Sequence, residues 1–487
     1  TNPKIIGTTI RKRVWFTGSC VMLTFPDWGR GEFIGGDDRR SANHQSKAIG
    51  RAVEGRNAAR GVILGTIGSR FAHALHYPGV MIRRHRVFQN STLFALGGFL
   101  TVLLGTFNLT EAGEIRRQYH SVRALGMGNA ALALSYDESA LFYNPAGLAN
   151  VKTFIFQLPI EVVYNSEASK QSSNITSLIT KKKSLADVLS GLKGKDIYFR
   201  TLLDFDSQFG AGGYAPNYAL AIPFGDRNSG FTLAAFYGGE QTIRFGVSSA
   251  GTQLTTESRR DHSLNLGLGF PLAQGKWLLG VTAQQIERCD KPSDNISVGK
   301  VTNLTDAICA SADLRKGQAL HAGIQRRVAM LGGLRITWAL TAHNIGTLKF
   351  SRKSGETNPV DVPPEYGFGL SLQPKLGPIR WLIAADLRDL TKTHPDDTSC
   401  KTNSSYSCWK KRMHLGAELG FFTIDESSSV IAFRYGFNQG YPTKGIELNP
   451  LIFSKAINLQ YAEYQVETAT IYGTPETRKA LRLSMEF

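Results

Sequence analysis

Long hydrophobic runs and cysteines are both scarce in this chain. A helical membrane protein would show several apolar runs of about 18 or more residues, and here there is at most one. The mean hydropathy of −0.16 and the hydrophobic fraction of 42% are ordinary for a soluble protein. These values exclude a helical bundle in the membrane. They permit a porin-like barrel, in which lipid-facing and lumen-facing residues alternate along each strand.

Motifs for catalysis, cofactors and metals are also missing. There is no G-x-S-x-G nucleophile elbow, and no histidine lies in a recognisable nucleophile motif. Gly126-x-Gly128-x-x-Ala131 fits the letters of a dinucleotide fingerprint but lacks the preceding strand and βαβ unit. The 5 cysteines contain no C-x-x-C pair for zinc. We therefore predict a non-enzyme with no catalytic residue, cofactor or metal. A barrel phospholipase with a Ser/His/Asn site stays an alternative, because barrel enzymes often lack local signatures.

The positive charge of the chain is concentrated near its beginning. The formal net charge is +17, and residues 1–80 hold 12 Lys/Arg against 5 Asp/Glu. These basic residues show no helical stripe, no aromatic interleaving and no known nucleic-acid-binding module, so we predict no nucleic-acid partner. Residues 1–80 also lack a sustained period of 2 or 3.6. We expect them to be a non-native upstream segment that is disordered.

Residues 81–112 have the composition of a secretory signal peptide. The basic run Met81–Arg86 precedes the apolar run Ser91–Gly105, and small residues follow near a cleavage point. The apolar run is short and interrupted by glycine, which disfavours the alternative of a lone membrane anchor. We expect Met81 to be the true start and the mature chain to begin near Gly113.

The segment 113–150 contains a glycine turn, a short helix around Asp137–Phe142 and a break at Asn144-Pro145-Ala146. It resembles the N-terminal hatch of the FadL/TodX family of outer-membrane transporters for long-chain fatty acids and hydrocarbons, and also the related PorV-like barrels. The matching residues are Gly126, Met127 and Gly128 for the glycine turn, and Asn144, Pro145 and Ala146 for the Asn-Pro-Ala signature. The resemblance implies a hatch that plugs the lumen and moves to release substrate towards the periplasm.

Residues 151–487 alternate between apolar and polar positions in about fourteen segments. The last segment shows the pattern most clearly, with Leu481, Leu483, Met485 and Phe487 on one face of a strand and polar residues on the other. We predict an all-β, transmembrane, antiparallel β-barrel of about 14 strands whose lumen is plugged by the hatch. Leu483, Met485 and Phe487 are the expected signal for the barrel-assembly machinery.

Connection lengths favour this barrel over a β-sandwich, because short turns alternate with longer loops that would lie outside the cell. The longer connections are 166–214, 246–262, 287–318, 345–365, 389–411, 438–444 and 466–477.

Cys289 and Cys309 lie in one of these loops, and Cys400 and Cys408 lie in another. We expect a disulfide within each pair, as suits an oxidising compartment.

Inward positions predict how the lumen is filled and where it opens. Nine glycines on the inward faces leave room for a plug. Inward charges such as Glu418 and Arg482 could pair with each other or hold the hatch, but for most of them ordinary solvated lumen charges are the favoured interpretation. Family members deliver substrate sideways through a gap made by a kink in the third strand. Here Gly238-Gly239 interrupts the third candidate strand, and Pro223 removes a ladder donor nearby. We predict a lateral opening at Gly238, Gly239 and Pro223.

The predicted function is uptake of hydrophobic, long-chain fatty acid-like compounds across the bacterial outer membrane. The expected partners are a hydrophobic small molecule, outer-membrane lipid and lipopolysaccharide, and the barrel-assembly machinery. A short amphipathic helix at Lys181–Leu192 could help a ligand to dock or could pair with lipopolysaccharide. The alternative function is that of a PorV-like plugged barrel, which would be a docking platform for secretion or surface proteins.

Overall fold

The computed structural model describes residues 115, 117–171, 190–202, 217–225, 229–298, 308–309, 313–329, 333–355, 358–376, 379–395, 406–424, 428–451, 456–467 and 475–487. The predicted upstream segment and signal peptide lie outside these ranges, as do Cys400 and nearly all of the predicted amphipathic helix. No helix among the described residues is long and apolar enough to cross a membrane.

Strands dominate the fold. The short helices are α1 (Val122–Gly126), α2 (Ala140–Tyr143), a 3₁₀ helix (Pro145–Asn150), α3 (Ser166–Lys170) and α4 (Tyr406–Lys410). The strands are β1 (Ile155–Asn165), β2 (Asp196–Leu202), β3 (Tyr218–Phe224), β4 (Phe231–Val247), β5 (Gln253–Leu272), β6 (Trp277–Ser297), β7 (Arg315–Ala329), β8 (Leu334–His343), β9 (Lys349–Phe350), β10 (Glu365–Leu376), β11 (Ile379–Leu387), β12 (Met413–Thr423), β13 (Ser429–Asn438), β14 (Tyr441–Leu448), β15 (Ile457–Glu467) and β16 (Pro475–Glu486).

The sheet closes on itself because the last strand pairs with the first. β16 is antiparallel to β1 from Gln157 opposite Glu486 to Asn165 opposite Arg478. β2 and β3 share the second position of the wall, and β9 is a short side pairing on β7, so the wall has 14 strand positions. The described chain is therefore a closed antiparallel barrel, as the sequence predicted.

The outer face of the barrel is apolar, because side chains alternate between the two faces of each strand. Leu264 and Leu266 on β5 are exposed, whereas the alternate residues Ser263, Asn265 and Gly267 face inward and are buried. The same alternation holds on the other strands around the wall. Its outward members include Leu233, Tyr237, Val281, Leu320, Leu340, Tyr366, Phe433, Tyr435, Ile446, Leu459 and Leu481.

Strand lengths differ from the prediction at the end of the barrel that carries the longer connections, called the loop end below. The segments 246–262 and 287–318 were expected to be loops, but residues 253–262 and 287–297 belong to β5 and β6. The two strands pair with each other along this extension. The extensions of β5 and β6 are mostly polar on both faces, so a pattern of alternating apolar residues did not predict them. The segment 438–444 is also mostly strand, with a turn at Gln439-Gly440.

Cys289 and Cys309 form a disulfide, as predicted. Cys289 lies in β6 opposite Arg260 rather than in a loop. The N–H of Cys309 donates to Ser258 Oγ at 3.1 Å, so the bridge ties the following segment to β5. Cys408 is buried in α4 and is also disulfide-bonded, but its predicted partner Cys400 lies outside the described residues.

A charge on the outer face tests whether lipid surrounds this barrel. Leu266 lies in the middle of β5 and is 52% exposed, while Leu272 ends the same strand on the same face and is 45% exposed. We expect Leu266→Arg to lower the free energy of unfolding by about 2–4 kcal/mol, and Leu272→Arg by about 0–1 kcal/mol, because the cost depends on depth in the bilayer. Urea titration in phospholipid vesicles measures both, and equal costs would contradict a lipid-facing surface.

Candidate functional site

Residues 117–151, called the plug below, lie inside the barrel and are bonded to strands all around it. Gln118 bonds Ser263 on β5 and Gln284 on β6. Asn150 bonds Gln325 on β7, and Arg123 bonds Glu418 on β12. Almost every side chain from Val122 to Tyr136 is buried. The plug is thus enclosed by the wall.

Small residues on the inward faces permit this fit. A Cβ atom added to Gly280 would overlap the main chain at Pro145 and Ala146, and one added to Gly416 would overlap the carbonyl of Met127. Further glycines whose Cβ would collide with the plug are Gly267, Gly269, Gly323, Gly367, Gly369 and Gly436. Gly420 is different, because its collision would be with Ser429 of the wall.

The Asn-Pro-Ala signature shapes the middle of the plug. Asn144 ends α2 and begins the 3₁₀ helix, where its Oδ1 accepts the N–H of Ala146 at 3.1 Å. Its Nδ2 donates to the carbonyl of Leu132 at 2.7 Å. Pro145 stands at the first helical position, where no donor is needed. One fully buried side chain therefore joins two turns of the plug.

The glycine turn meets β14. Gly128 has a φ of 64°, which suits glycine, and its N–H donates to Thr443 Oγ1 at 2.9 Å. The Thr443 hydroxyl donates in turn to the carbonyl of Gly126 at 3.1 Å. Met127 between the two glycines is buried against Leu382 and Ala384 on β11.

Buried ion pairs attach the plug to one side of the wall. Glu418 on β12 accepts from Arg123 of the plug at 3.0 Å and from Arg434 on β13 at 2.7 Å. Arg380 on β11 is 2.6 Å from the same carboxylate, and Arg434 also contacts Glu447. Breaking a buried pair leaves an uncompensated charge, which costs about 3–5 kcal/mol. This cluster is therefore a strong attachment point.

Two more polar groups of the wall hold the plug. Asp386 on β11 accepts the N–H groups of Ala131 at 2.7 Å and Leu132 at 2.9 Å. Arg482 on β16 donates to Tyr119 Oη at 2.7 Å and also contacts Glu138. Glu418 and Arg482 thus bond the plug, whereas solvated lumen charges were the favoured interpretation for most inward positions.

A cavity of about 280 Å³ lies between the plug and the loop end of the barrel. Its apolar lining includes Leu132, Leu141, Phe142, Tyr143, Ile286, Leu348 and Val362. Its polar lining includes Arg117, Arg259, Arg288 and Arg388, the histidines His120, His321, His343 and His394, and the acids Asp290 and Glu365. The cavity thus has an apolar surface beside a group of cationic and titratable side chains. None of the residues predicted for the hatch motif, the lateral opening, the barrel-assembly signal or the disulfides lines it, although Leu141 and Phe142 belong to the predicted short helix.

Two of the arginines are already paired within the cavity wall. Arg117 of the plug donates to both oxygens of Glu365, at 2.8 and 3.1 Å. Arg288 donates to both oxygens of Asp261, at 2.6 and 2.7 Å. Such two-point pairs fix the guanidinium planes in place.

An aromatic cluster closes the cavity on the side of β4. The Tyr119 and Phe142 rings stack with centroids 4.3 Å apart, and Phe142 meets Phe236 edge to face at 5.0 Å. Tyr119 has a φ of 57°, which is strained for a bulky residue. Its N–H donates to Glu240 Oε2 at 3.2 Å, which helps to hold that conformation.

Next to this aromatic cluster, the described part of the wall passes from β2 to β3 at its second strand position. β2 pairs with β1 and β4 as far as Leu202, and β3 resumes the same position at Tyr218. Leu158–Ile160 on β1 and Gly238–Glu240 on β4 lack a described strand partner at this position. We call this place the β2–β3 junction. Residues 203–216 lie outside the described residues.

The lateral opening predicted at Gly238, Gly239 and Pro223 stays a prediction, and its third candidate strand is β4. β4 runs through Gly238 and Gly239 without a break, and its register against β5 is continuous. The β2–β3 junction lies at the neighbouring strand position. Pro223 pairs with Thr232 near the end of β3 and takes no part in it. Glycine inside a strand was read as a bend, whereas Gly238 has no room for a Cβ because the Asn217 side chain fills that space.

The terminal strand residues lie at the seam of the barrel. Leu483 pairs with Ile160 of β1 and with Leu459 of β15. Met485 pairs with Leu158 and Ile457, and Phe487 is 67% exposed beside the Phe156 ring. Among the described residues, no group of three or more His, Cys, Asp or Glu is placed to hold a metal ion.

Comparison with known proteins returns solved structures of similar arrangement. The toluene transporter TbuX of Ralstonia pickettii is 12% identical, with 78% of this chain and 100% of that chain covered and a TM-score of 0.41. The toluene transporter TodX of P. putida is 12% identical, with 78% and 99% covered and a TM-score of 0.40. The monoaromatic hydrocarbon channel CymD is 10% identical, with the same coverage and TM-score. No protein-family model and no curated protein sequence matches.

Filling one inward glycine tests the fit of the plug. We expect Gly280→Val to displace the plug and to open a persistent ion conductance in a planar bilayer, because the added carbons overlap Pro145 and Ala146. Gly246→Val on β4 is the matched control, since the nearest atom to a Cβ there is 3.6 Å away. A Gly280→Val barrel without a persistent ion conductance would contradict this explanation of the inward glycines.

Acid should weaken the attachment of the plug through His120. Burial and the charges of Arg200 and Arg117 lower the pKa of His120 well below its usual value of about 6.5. Below pH 6.5 the unfolded chain takes up a proton that the folded chain refuses, so this contribution to stability is lost as pH falls. We expect His120→Gln to reduce the loss of unfolding free energy between pH 7 and pH 5 by up to about 2 kcal/mol. Urea titration at both pH values measures it, and an unchanged pH dependence would contradict it.

Proposed function

We propose that this chain is a FadL/TodX-type barrel of the bacterial outer membrane that takes up hydrophobic compounds with a polar or anionic head group, such as long-chain fatty acids. The cavity at the loop end carries this proposal. It offers an apolar surface for a hydrocarbon body and, beside it, arginine and histidine side chains for a head group. The function is binding and passage without covalent chemistry, so no residue has a catalytic role.

The plug supports a gated rather than an open path. It is enclosed by the wall, and buried ion pairs and hydrogen bonds attach it to β11–β14 and β16. On the side of β3 and β4 its contacts are largely apolar, through Tyr119, Phe142 and Leu148. A ligand would therefore separate the plug from the wall most easily on the apolar side.

That apolar side leads to the β2–β3 junction. Tyr119 and Phe142 line the cavity, and Phe236 beside them lies two residues before Gly238. We propose that ligand leaves the cavity past these rings and enters the membrane at this junction, which makes Gly238 and Gly239 part of the exit. Pro223 is outside this route.

Two further partners belong to this proposal. Outer-membrane lipid and lipopolysaccharide would contact the apolar outer face. The barrel-assembly machinery would recognise Leu483, Met485 and Phe487, which end the strand that closes the barrel.

The alternative is a plugged barrel that is a docking platform for secretion or surface proteins. The buried pairs around Glu418 favour it, because a platform needs a plug that stays in place. It does not need the cavity, whose occupancy separates the two functions.

Ligand binding by the refolded full chain in detergent is the direct test. We expect saturable binding of labelled oleate, and at least about tenfold weaker binding after Val362→Trp, because the indole would occupy the cavity that Val362 lines. Val281→Trp on the outer face of β6 is the matched control and should bind like the original protein. A folded barrel that binds neither oleate nor toluene would contradict uptake and favour the platform.

A further inference from the structure

Two histidine rings face each other in the wall of the cavity. His321 lies on β7 and His343 ends β8, and their Nδ1 atoms are 3.3 Å apart. Both side chains line the cavity, and His321 is buried. At this separation the contact is favourable only when one nitrogen donates a hydrogen to the other.

The other contacts of the two rings determine which nitrogens carry a hydrogen. A carbonyl oxygen can only accept, so His343 Nε2 donates to the carbonyl of Tyr143 at 3.1 Å. A backbone N–H can only donate, so His321 Nδ1 accepts the N–H of Asn344 at 3.2 Å. A neutral imidazole has one donor and one acceptor nitrogen. When both rings are neutral, the lone pair of His343 Nδ1 therefore points at the lone pair of His321 Nδ1.

One added proton resolves this contact. A proton on His343 Nδ1 turns that ring into an imidazolium, which donates to Tyr143 from one nitrogen and to His321 from the other. A hydrogen bond from a charged donor is about twice as strong as one between neutral groups. The two rings keep all their other partners. The arrangement is thus that of a site for a single proton shared by two histidines.

The charges around the pair leave this proton without a counter-ion. The charged side chains that act on it are Arg117 of the plug, Glu365 on β10 and Arg388 after β11. The rest of the titratable and charged cavity lining comprises His120, Tyr143, Arg259, Arg288, Asp290 and His394. Glu365 binds Arg117 at two points, and Arg388 pairs with Asp386 at 3.2 Å. Since each of these two cations is matched by one carboxylate, a proton on the pair adds a buried positive charge, which is costly unless an anion accompanies it.

We infer that the His321–His343 pair takes up one proton from water when an anionic head group enters the cavity, so that a carboxylate and a proton bind together. The inference rests on the proposed function and deepens it, because it names the bound species as an anion with its own proton. The anion supplies the missing counter-charge, and the proton removes the repulsion between the lone pairs. Each therefore strengthens the binding of the other. A neutral compound with the same chain gains nothing from the proton.

The pH dependence of ligand binding tests this coupling. When binding takes up one proton, the affinity falls as pH rises, so the Kd of oleate for the full chain in nanodiscs should increase about tenfold from pH 7 to pH 8. The Kd of oleyl alcohol, which has the same chain and no charge, should stay constant. His343→Phe should remove most of the pH dependence for oleate, because the phenyl ring binds no proton. His394→Phe alters another histidine of the same cavity and is the matched control, which should keep the tenfold change.

The possible results separate this inference from the proposed function. An equal pH dependence for oleate and oleyl alcohol, or for His343→Phe and the original protein, would overturn the inference and leave uptake of hydrophobic compounds intact. A folded barrel that binds neither compound would overturn both.

Ring-nitrogen NMR of histidine-labelled protein examines the pair without any ligand. On acidification we expect His321 and His343 to take up their first proton in one shared step, because interacting groups titrate as a pair. In His343→Phe the remaining His321 should lose this shared step. Two independent titrations in the original protein would contradict a shared proton.

Discussion

Backbone hydrogen bonding in an apolar surrounding is the constraint on which the rest of this structure depends. Hydrocarbon offers no partner for an N–H or a C=O, so each one must be satisfied within the protein. Pairing of β16 with β1 meets this requirement by removing both edges of the sheet. The plug meets it from inside, since the carboxylate of Asp386 and the hydroxyl of Thr443 accept its free N–H groups. At Gly239 the Asn217 amide meets it, accepting the N–H and donating to the carbonyl.

The plug has charged contacts with one side of the wall and mostly apolar contacts with the other side. Ion pairs with the plug lie on β10, β12 and β16, where Arg117, Arg123 and Arg482 are neutralised by buried carboxylates. Aromatic and aliphatic contacts lie on β3 and β4, and they border both the cavity and the β2–β3 junction. Apolar contacts can be exchanged for contacts with an apolar ligand at little cost, whereas a buried charge cannot be left without its partner.

Much of this architecture could be predicted from the sequence, because side chains alternate between the two faces of a strand and every second residue faces the same side. All fourteen predicted strands are present, and the inward glycines correctly indicated a filled lumen. β2 was missed because two adjacent residues within it, Tyr198 and Phe199, are both aromatic and obscure the alternation of apolar and polar side chains. The extensions of β5 and β6 were missed because their outward residues are polar. The cavity and the Asn217–Gly239 hydrogen bonds join residues of different segments, and periodicity along one segment carries no information about such pairs.

The seam of the barrel and the docking of the plug share a single strand. β16 pairs its backbone with β1, while Arg482 on the same strand bonds Tyr119 and Glu138 of the plug. β1 itself starts at Ile155, only a few residues after the 3₁₀ helix that ends at Asn150. A barrel whose plug is misplaced would lose the Tyr119 and Glu138 contacts of Arg482 and leave this buried cation the Gln157 amide of β1. Closure of the β16–β1 seam is thus coupled in free energy to the correct position of the plug, because both depend on the same strand.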